Sequence, residues 1–552
     1  PADPQRMIES NDGGANVSYD GGATWSPQSN QPTAQMYRVS TDDAFPYRLL
    51  GGQQDNSAVR IRSRSLRGNV IGPRDWEPTA GGESGFIVAK PDDPDIVVGG
   101  SYGGYLRLID HRTGITRAID VWPDNPMGWA AADLKHRFQW NYPIAFSKHD
   151  PDVLFVTAER VFRSEDLGRS WTAISPDLTR DDEARMGSSG GPITKDNTSI
   201  EYYGTVFALA ESQHERGVLW AGSDDGLVQL TRDGGEHWTD VTPRQMPEWA
   251  MVNSIEIDPF ERGGAYVAAT RYKSDDFQPI LFHTTDWGRS WTRIDRGLPR
   301  DHFTRVLRAD PVRAGLLFAG TEFGLYHSLD DGRSWAPLQL DLPRVPITDL
   351  AIEGDDLIAA TQGRGYWILD DLSVLRQLED GAPVTHLYQP GIVHRLSAGG
   401  RADDAGANGT NPHPGVSIYY ALDDDLDADT PIELSVFLED DEEAIWTWTR
   451  EPAEPDEESG GRNDPPRTDV LTAEAGLNRH VWDLRYPGMS RFDDLIMWSD
   501  MREGPMAVPG TYRLRLVVGE VEQEQTFEVL ADPRSSSTPA DYAAQFEFVI
   551  EA

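Results

Sequence analysis

The sequence predicts an all-β protein in which a seven-bladed β-propeller precedes an Ig/FnIII-like β-sandwich. Three observations lead to this prediction. An eight-residue pattern occurs five times before residue 336, short apolar segments bounded by Gly and Asp surround its copies, and the strand spacing changes after residue 370. Because each repeat holds about four short strands, one repeat has the size of one propeller blade.

The repeated pattern is Ser/Thr-x-Asp-x-Gly-x-x-Trp and is called the box below. Its copies, boxes 1 to 5, begin at Ser18, Ser164, Thr231, Thr284 and Ser328. The Asp carboxylate and the hydroxyl accept hydrogen bonds from turn amides, Gly permits a positive φ, and Trp packs between neighbouring sheets. The box therefore predicts a self-bonded hairpin, and we assign its residues a structural role.

The spacing of the boxes predicts the number of blades. Boxes 2 to 5 each end one blade, and the gap before box 2 has room for two units without a box, at residues 36–65 and 83–119. Residues 347–370 supply a last unit, and residues 6–27 with box 1 supply a first unit that is short. We expect these two incomplete units to form one blade, which closes a ring of seven without free sheet edges. Six or eight blades are the alternatives.

These patterns divide the chain into four parts: residues 1–372 form the propeller, 373–414 a connector, 415–535 the sandwich and 536–552 a helical tail. Alternating segments such as VSIYYAL and GTYRLRLVV predict the short strands of an Ig-like sandwich. The chain starts with Pro-Ala-Asp, without an apolar leader, and the tail stops without a cap. We therefore expect a piece of a longer precursor.

The composition is strongly acidic. Asp and Glu number 91 against 50 Lys and Arg, which gives a formal net charge of −41. A polyanion is repelled by such a surface, so nucleic acid and anionic membranes are excluded as partners. Cys is absent, and no apolar run approaches the roughly 18 residues of a membrane span, so we expect neither disulfides nor membrane insertion. The acidity indicates a halophilic protein that is secreted, periplasmic or at the cell surface.

The boxes resemble the Asp boxes of bacterial neuraminidase repeat (BNR) proteins, which include sialidases, xyloglucanases and sortilin-type receptors. Phrases such as GLLFAGTEFGLYHSLDDGRSW and AGLNRHVWDLRYPG resemble the secreted bacterial proteins labelled glycosyl hydrolase or sortilin N-terminal-like. In that family two propellers usually precede an Ig-like module. The resemblance implies that this chain holds the second propeller and the module, without the first propeller. The chain lacks a Cys-rich module and a Phe-Arg-Ile-Pro motif, so receptor trafficking and sialidase activity are not implied.

In a propeller, the loops that lead into the innermost strands and the second hairpin of each blade reach one rim of the central channel. Carboxylates, guanidinium groups and aromatic rings at this rim suit a glycan or a peptide ligand. The polar and aromatic residues assigned to the rim are Gln53, Asp55, Asn56, Glu83, Trp140, Asn141, Glu201, Tyr202, Tyr203, Asp224, Asp225, Arg271, Lys273, Asp275, Asp276, Glu322 and Arg364. Of these, the candidate ligand-binding residues are Trp140, Asn141, Tyr202, Arg271 and Arg364.

Glycoside hydrolysis needs two carboxyl groups on either side of one bond, about 5 Å apart for retention and up to about 9.5 Å for inversion. The candidate catalytic residues, chosen by location alone, are Asp55, Glu83, Glu201 and Glu322. Turn or packing roles are the competing interpretation for Glu201, Glu322 and the Asp224-Asp225-Gly226 hairpin. Arg364 stands between two glycines, which leaves room for a ligand to approach closely.

The leading functional interpretation is an extracytoplasmic binding or scaffold protein whose propeller rim engages a glycan or a peptide. A glycoside hydrolase is the first alternative. Two-propeller xyloglucanases place their acid and base on opposite propellers, so such a site would need the missing first propeller. A subunit of a cell-surface assembly is the second alternative, which exposed apolar patches would indicate.

Metal signals in the sequence are weak, and we expect no organic cofactor. The acidic run at residues 423–429 could bind Ca²⁺ through Asp423, Asp425 and Asp427. This run lacks the Gly and the terminal Glu of an EF-hand loop. A solvated acidic turn is therefore the favoured interpretation.

Overall fold

The structure is a computed structural model that describes residues 3–11, 14–28, 33–191, 193–378, 385–396, 408–427, 429–439, 441–450, 470–488 and 504–551. Strands dominate these ranges, and their α-helices are α1 (Ser373–Gln377) and α2 (Pro539–Glu551). Neither of these described helices has the length and apolarity that a membrane crossing requires. Short 3-10 turns occur at Tyr102–Gly104, Ala131–Asp133, Glu183–Arg185 and Tyr272–Ser274.

Seven consecutive antiparallel sheets, sheets 1 to 7, follow one another in the described chain up to residue 369, each with its strands hydrogen-bonded in chain order. The first strand of each sheet is the innermost one. Sheet 1 holds β3 (Ser40–Thr41), β4 (Arg48–Gln53), β5 (Ser57–Arg62) and β7 (Trp76–Pro78), with β6 (Val70–Ile71) outside it; sheet 2 holds β8 (Ile87–Lys90), β9 (Asp93–Ser101), β10 (Tyr105–Asp110) and β11 (Ile115–Ala118); sheet 3 holds β12 (Ile144–Phe146), β13 (Leu154–Thr157), β14 (Val161–Ser164) and β15 (Thr172–Ala173).

The later sheets repeat this arrangement. Sheet 4 holds β16 (Val206–Glu211), β17 (Leu219–Ser223), β18 (Val228–Thr231) and β19 (Thr239–Asp240); sheet 5 holds β20 (Met251–Ile257), β21 (Ala265–Arg271), β22 (Asp276–Thr284) and β23 (Thr292–Arg293); sheet 6 holds β24 (Thr304–Ala309), β25 (Leu317–Thr321), β26 (Gly324–Ser328) and β27 (Ala336–Pro337); sheet 7 holds β28 (Ile347–Glu353), β29 (Asp356–Thr361) and β30 (Tyr366–Leu369). Sheet 1 therefore extends beyond the unit expected at residues 36–65.

Buried apolar clusters fill the space between each sheet and the next. The last sheet packs back on the first, since Met36 and Leu49 share one cluster with Ile358 and Ala360. The backbone N–H of Met36 also donates to the carbonyl oxygen of Thr361 at 2.9 Å. The sheets form a closed ring around a channel, so the predicted all-β propeller is confirmed.

The N-terminal hairpin does not join the ring as expected. Strands β1 (Met7–Asn11) and β2 (Gly14–Ser18) form a two-stranded sheet of their own, and β28 to β30 make sheet 7 without them. The ring is closed instead by Ala34, whose carbonyl oxygen accepts from the N–H groups of Gly363 and Gly365 at 3.0 and 2.9 Å. The expectation that residues 6–27 complete the last blade is therefore wrong.

Boxes 2 to 5 connect the third and fourth strands of sheets 3 to 6 and join each sheet to the one before it. In box 2, the Ser164 hydroxyl donates to Asp166 at 2.8 Å and accepts from the N–H of Gly168 at 2.8 Å. The indole N–H of Trp171 donates to the carbonyl oxygen of Ile119, just after the outermost strand of sheet 2, at 2.9 Å. The same bond recurs from Trp238, Trp291 and Trp335 to Ile174, Val241 and Ile294.

Two further sheets share one buried core after the ring. The three-stranded sheet has the order β31 (His386–Leu387), β34 (Val416–Leu422) and β37 (Gly476–Trp482); the five-stranded sheet has the order β32 (Val393–Arg395), β39 (Val521–Ala531), β38 (Gly510–Val518), β35 (Ile432–Leu438) and β36 (Trp446–Thr449). Strand β38 alternates buried and half-buried residues, because one face packs on the core and the other faces outward.

The expected connector, residues 373–414, is more structured than its sequence suggested. It contains α1, and it supplies β31 and β32 to the two sandwich sheets. Strand β33 (Gly409–Thr410) pairs with β6 of the propeller, which ties the two parts of the chain together. Residues 379–384 and 397–407 of this segment lie outside the described residues. The expected helical tail corresponds to α2, whose Tyr542 ring lies 4.8 Å from the guanidinium of Arg395.

Candidate functional site

The centre of the channel mouth is occupied by Arg38, which the sequence analysis did not single out. Its Nε donates to the Asn141 side-chain oxygen at 3.0 Å, and its Nη1 donates to the carbonyl oxygen of Asn253 at 3.4 Å. The rings of Phe86 and Phe207 lie 4.9 and 5.4 Å from the guanidinium carbon. Groups from sheets 2 to 5 thus meet at one buried cation, whose pKa is lowered by burial.

A repeated β-bulge explains why Phe207 and Asn253 escape a sequence pattern. Near the start of β16, β20, β24 and β28, the register with the neighbouring strand shifts by one residue. A bulge interrupts the regular in-out alternation of a strand, so the residue at that place is re-aimed. The residues at the shifts are Phe207, Asn253, Arg305 and Thr348.

Charged groups further along the channel are paired with each other. Asp349, which is 3 % exposed at its side chain, accepts from Nη2 of Arg308 at 2.8 Å. Arg308 also lies 3.6 Å from Glu256, whose pKa is raised by burial. This part of the channel is a network of protein ion pairs, so ligand contacts are better sought at the rim.

Two stacked aromatic rings lie at the rim between sheets 2 and 3. Tyr102 and Trp140 stack with their centroids 4.8 Å apart and an interplanar angle of 12°, and both are partly exposed. The Trp140 indole N–H donates to the Tyr37 hydroxyl at 2.9 Å, and that hydroxyl donates to the Gln54 side chain. Burial, with the nearby charges of Glu83 and Asp55, raises the pKa of Tyr37. We call Tyr37, Tyr102 and Trp140 the Trp140 platform.

Asp55 and Glu83, two of the candidate catalytic residues, meet beside this platform. Nε2 of Gln54 donates to Asp55 at 3.0 Å and to Glu83 at 3.3 Å, so the two carboxylate oxygens are no further apart than the sum of these distances. The backbone N–H of Asp55 also donates to Glu83 at 2.7 Å. Asp55 is exposed and Glu83 half-buried. This upper bound rules out a separation of about 9.5 Å and admits the retaining geometry of about 5 Å.

The other candidates have structural partners. Glu201 accepts from the N–H and the hydroxyl of Thr198, both at 2.7 Å. Tyr202 is 3 % exposed, and its hydroxyl lies 3.0 Å from the carbonyl oxygens of both Pro126 and Trp129. Asn141 is 5 % exposed and holds Arg38. Neither Tyr202 nor Asn141 therefore presents a side chain to a ligand in this arrangement.

Glu322 and Arg364 lie at separate positions along the rim. Glu322 accepts from Nε and Nη2 of Arg305 at 2.8 and 2.6 Å, and the Arg305 guanidinium lies over the Tyr272 and Phe303 rings. Arg364 is exposed, and its Nη1 donates to the adjacent Gly363 carbonyl at 2.8 Å. In the part of the chain that the structure describes, neither residue forms a hydrogen bond or an ion pair with Asp55 or Glu83.

The rim between sheets 4 and 5 holds Arg271 together with Tyr203 and Trp249, whose rings are 5.9 Å apart. Beneath them, Asp224 is 1 % exposed and accepts from the N–H groups of Gly204 and Thr205 at 2.9 Å. Burial raises the pKa of Asp224 to about 7, and it also raises the pKa of Asp225. These two aspartates fasten the loop before sheet 4, as the turn interpretation predicted.

Among the described residues, the candidate Ca²⁺ ligands Asp423, Asp425 and Asp427 do not converge, in agreement with the favoured interpretation of a solvated acidic turn. Asp423 accepts from Thr385 at 2.9 Å, Asp425 accepts from the N–H of Ala475 at 2.7 Å, and Asp427 is exposed. In the described ranges, the carboxylate and imidazole donor atoms of Asp233, Glu236 and His237 lie within 4.8 Å of one another. These three exposed residues form a cluster of possible metal ligands. It lies in box 3, beside a groove of about 850 Å³ on the far side of the ring from the rim.

No protein-family model matches the chain, and no curated protein matches it. Among solved structures, the GH74 xyloglucanase from Xanthomonas campestris is similar with a TM-score of 0.45 and 15% identity, over 74% of this chain and 66% of that chain. YCF48 from Cyanidioschyzon merolae gives 0.40 and 14%, over 61% and 96%, and YCF48 bound to D1 peptide gives 0.39 and 12%, over 61% and 92%. Each of these proteins is similar to part of this chain, while the propeller fold itself follows from the sheet order and the closed ring.

Proposed function

We propose that this chain is an extracytoplasmic binding protein that engages a glycan at the channel rim. The Trp140 platform carries this proposal, because stacked aromatic rings beside hydrogen-bonding side chains suit the apolar face and the hydroxyls of a sugar. Gln54, Asp55 and Glu83 supply amide and carboxylate groups next to the rings. A peptide is the alternative ligand for the same side chains. Location outside the cytoplasm is part of the proposal and rests on the acidic composition.

We propose seven blades, one for each of sheets 1 to 7, and an Ig-like fold for the sandwich. The order of the sandwich strands, three in one sheet and five in the other, supports the Ig-like assignment. The Tyr512 hydroxyl donates to the carbonyl oxygen of Val508 at 2.8 Å, near the start of β38. A tyrosine bonded back to the chain at this place resembles the tyrosine corner of Ig-like domains. Membership of the Asp-box family stays part of this proposal.

A preceding propeller is also part of the proposal, and the N-terminal hairpin supports it. Box 1 and β1–β2 have the form of the outer part of a blade, yet they lie outside the ring. Met7, Ile8 and Trp25 of this hairpin are 41, 79 and 42 % exposed. An isolated two-stranded hairpin is marginally stable in water, so a further sheet that covers these side chains would explain their apolar character.

Glycoside hydrolysis is a second candidate function, favoured by the Asp55 and Glu83 pair. The upper bound on their separation admits a retaining mechanism, in which one group attacks the anomeric carbon as a carboxylate and the other, as a carboxylic acid, protonates the leaving oxygen. Neither carboxyl is fully buried, and the opposite side of such a site would need the preceding propeller. A subunit of a cell-surface assembly is a third candidate, which the exposed Trp129 and Ile193 of the rim loops favour.

Binding to a glycan array before and after Trp140→Ala tests the leading proposal. Loss of the stacking surface should weaken binding to the best glycan at least about tenfold, or about 1.4 kcal/mol. Trp76→Ala is the matched control, because Trp76 is exposed on the outer strand β7, and it should leave binding unchanged. Absence of glycan binding, or an equal loss in both variants, would overturn the proposal.

The hydrolase alternative is tested with the glycans that bind. Release of reducing sugar by the full-length protein, lost in both Asp55→Asn and Glu83→Gln, would establish it. Binding without any release of sugar would leave the binding role as the function of this chain.

A further inference from the structure

A narrow cleft opens at the rim between sheets 4 and 5. Its volume is about 10 Å³, and its lining residues include Tyr203, Trp249, Thr270, Arg271 and Lys273. This volume accommodates one water-sized polar group, and a sugar ring is too large for it. A ligand lying on the rim would therefore insert only a small substituent here.

Thr270 provides an unused hydrogen-bonding group in this cleft. It is 1 % exposed near the end of β21, and its hydroxyl has no hydrogen-bond partner among the described residues. A buried hydroxyl without a partner is destabilising, because it has lost its hydrogen bonds to water. An oxygen atom of a ligand in the cleft would accept from this hydroxyl and remove that destabilisation.

Three cations, Arg180, Arg185 and Lys273, lie around the cleft. The guanidinium carbons of Arg185 and Arg180 lie 4.7 and 5.3 Å from the centroid of the Trp249 ring, and Lys273 lines the cleft. Within the part of the chain that the structure describes, none of the three forms an ion pair, although acidic residues outnumber basic ones by 91 to 50. Arg305 and Arg308 at the channel, by contrast, are paired with Glu322 and Asp349.

Two buried carboxylates of the same loops attract two of these cations, since the charge of Arg180 acts on Asp225 and that of Lys273 on Asp224. Asp224 and Asp225 are buried and bonded to backbone N–H groups, and Asp276 lies 3.6 Å from Arg271. Asp181, Glu183, Glu248 and Asp275 of these loops are exposed and Asp182 is half-buried, and in the described residues none of them forms an ion pair with the three cations.

Trp249 is held in a strained conformation that fixes the position of its ring. Its φ is 62°, a left-handed value that is unusual for a bulky residue and strains the backbone. Contacts between the ring and the two guanidinium groups offset part of this strain. The Trp249 ring and the guanidinium groups of Arg180 and Arg185 therefore restrain one another beside the cleft in the absence of a ligand.

We propose that this cleft binds the carboxylate of a sugar acid, so that the glycan recognised at the rim contains a uronate. One carboxylate oxygen accepts from the Thr270 hydroxyl, and Lys273 balances the charge. Tyr203 and Trp249 contact the sugar ring outside the cleft. This inference rests on the proposed glycan-binding function and names the class of sugar.

Calorimetric titration with trigalacturonic acid and with its methyl ester tests the inference. The acid should bind at least about tenfold more tightly than the ester. Lys273→Gln and Thr270→Val should each remove most of this difference and leave binding of the ester unchanged. Thr270→Val keeps the shape of the buried side chain, so it should fold normally, and the melting temperature checks this.

Arg169→Gln is the matched control for the loss of one positive charge. Arg169 is exposed in box 2, on the far side of the ring, and its substitution should leave binding of both probes unchanged. Equal binding of acid and ester, or a loss in Arg169→Gln as large as in Lys273→Gln, would overturn the inference. Binding of hexaglutamate but not of trigalacturonic acid would overturn the assignment to a sugar. If the array shows neutral glycan binding that depends on Trp140, only the uronate inference fails; if no glycan binds, the proposed function itself fails.

Discussion

Box 1 and box 5 form the same local turn in different surroundings. In box 1, the Ser18 hydroxyl donates to Asp20 and accepts from the N–H of Gly22, both at 2.8 Å. In box 5, Ser328 makes the same two bonds to Asp330 and Gly332, also at 2.8 Å. The hydrogen bonds within the box therefore form whether or not the hairpin belongs to the ring.

The tryptophans of these two boxes behave differently. Trp335 is 8 % exposed and donates across to the carbonyl oxygen of Ile294 in sheet 5 at 2.6 Å. Trp25 is 42 % exposed and donates to Gly22 of its own turn at 3.1 Å. The comparison shows that the box encodes a turn, while the packing of its Trp depends on a neighbouring sheet.

The largest expected effect comes from removing the two tryptophans. Trp335→Ala should lower the free energy of unfolding of the propeller by about 3 to 5 kcal/mol, since it empties a buried site between two sheets. Trp25→Ala should change it by no more than about 0.5 kcal/mol, because that ring is largely exposed. Urea unfolding followed by circular dichroism measures both.

Equal destabilisation by these two substitutions would contradict the comparison. The same two substitutions also test the proposal that a propeller precedes the N-terminal hairpin. In a longer chain that includes it, Trp25→Ala should become as costly as Trp335→Ala, and an unchanged small effect there would count against that part of the proposal.

A second contrast concerns charge, because box 5 is joined to sheet 5 by a buried histidine. The ring of His283 lies 3.1 Å from Asp258 and 3.3 Å from Asp331 of box 5, whereas box 1 has Gly21 at the position of Asp331. Burial opposes the charge of His283, but hydrogen bonds to both aspartates outweigh it and raise its pKa to about 9.

A raised pKa means that this contribution to stability is fully present below about pH 6.5 and is lost as the pH rises through about 9. The shift in the pKa of His283 corresponds to a stabilisation of at most about 3 kcal/mol. The actual contribution is smaller, because Asp331 is partly exposed and solvent screens its charge. His283→Gln should therefore be less stable at pH 6, and the difference from the unmodified protein should shrink by pH 9.5. Urea midpoints across this pH range give the measurement, and a constant difference would refute the assignment.

The smallest expected effect separates the two box glycines. Gly332 has φ 77°, and an added Cβ would lie 2.8 Å from the Ile294 side chain in the next sheet. Gly22 has φ 90°, and its nearest neighbour would be the Met7 sulfur at 3.5 Å. Both alanine variants carry the cost of a left-handed residue, about 1 to 2 kcal/mol. Thermal unfolding should show that Gly332→Ala lowers the stability by about 1 kcal/mol more than Gly22→Ala does. Equal losses of stability would show that packing of the box against the next sheet adds no constraint.

The rim could be predicted in part. Asp55, Glu83 and Trp140 come together because propeller topology brings the ends of successive sheets to one side, and that topology follows from the repeats. Tyr202 is buried instead, since its hydroxyl bonds to two carbonyl groups of a long loop about 75 residues earlier in the chain. Such contacts between non-repeating loops leave no periodic signal, and Arg38 at the channel centre leaves none either.

The sequence by itself determined the features that depend on neighbours along the chain. The box turn, the alternation of the strands and the order of the sheets follow from hydrogen bonds and side-chain spacing within a few residues. The tertiary structure alone decided how the ring closes, which of the boxes pack their Trp, and which rim side chains remain accessible. These outcomes depend on groups hundreds of residues apart, such as Ala34 and Gly365, whose meeting is set by the packing of the whole ring.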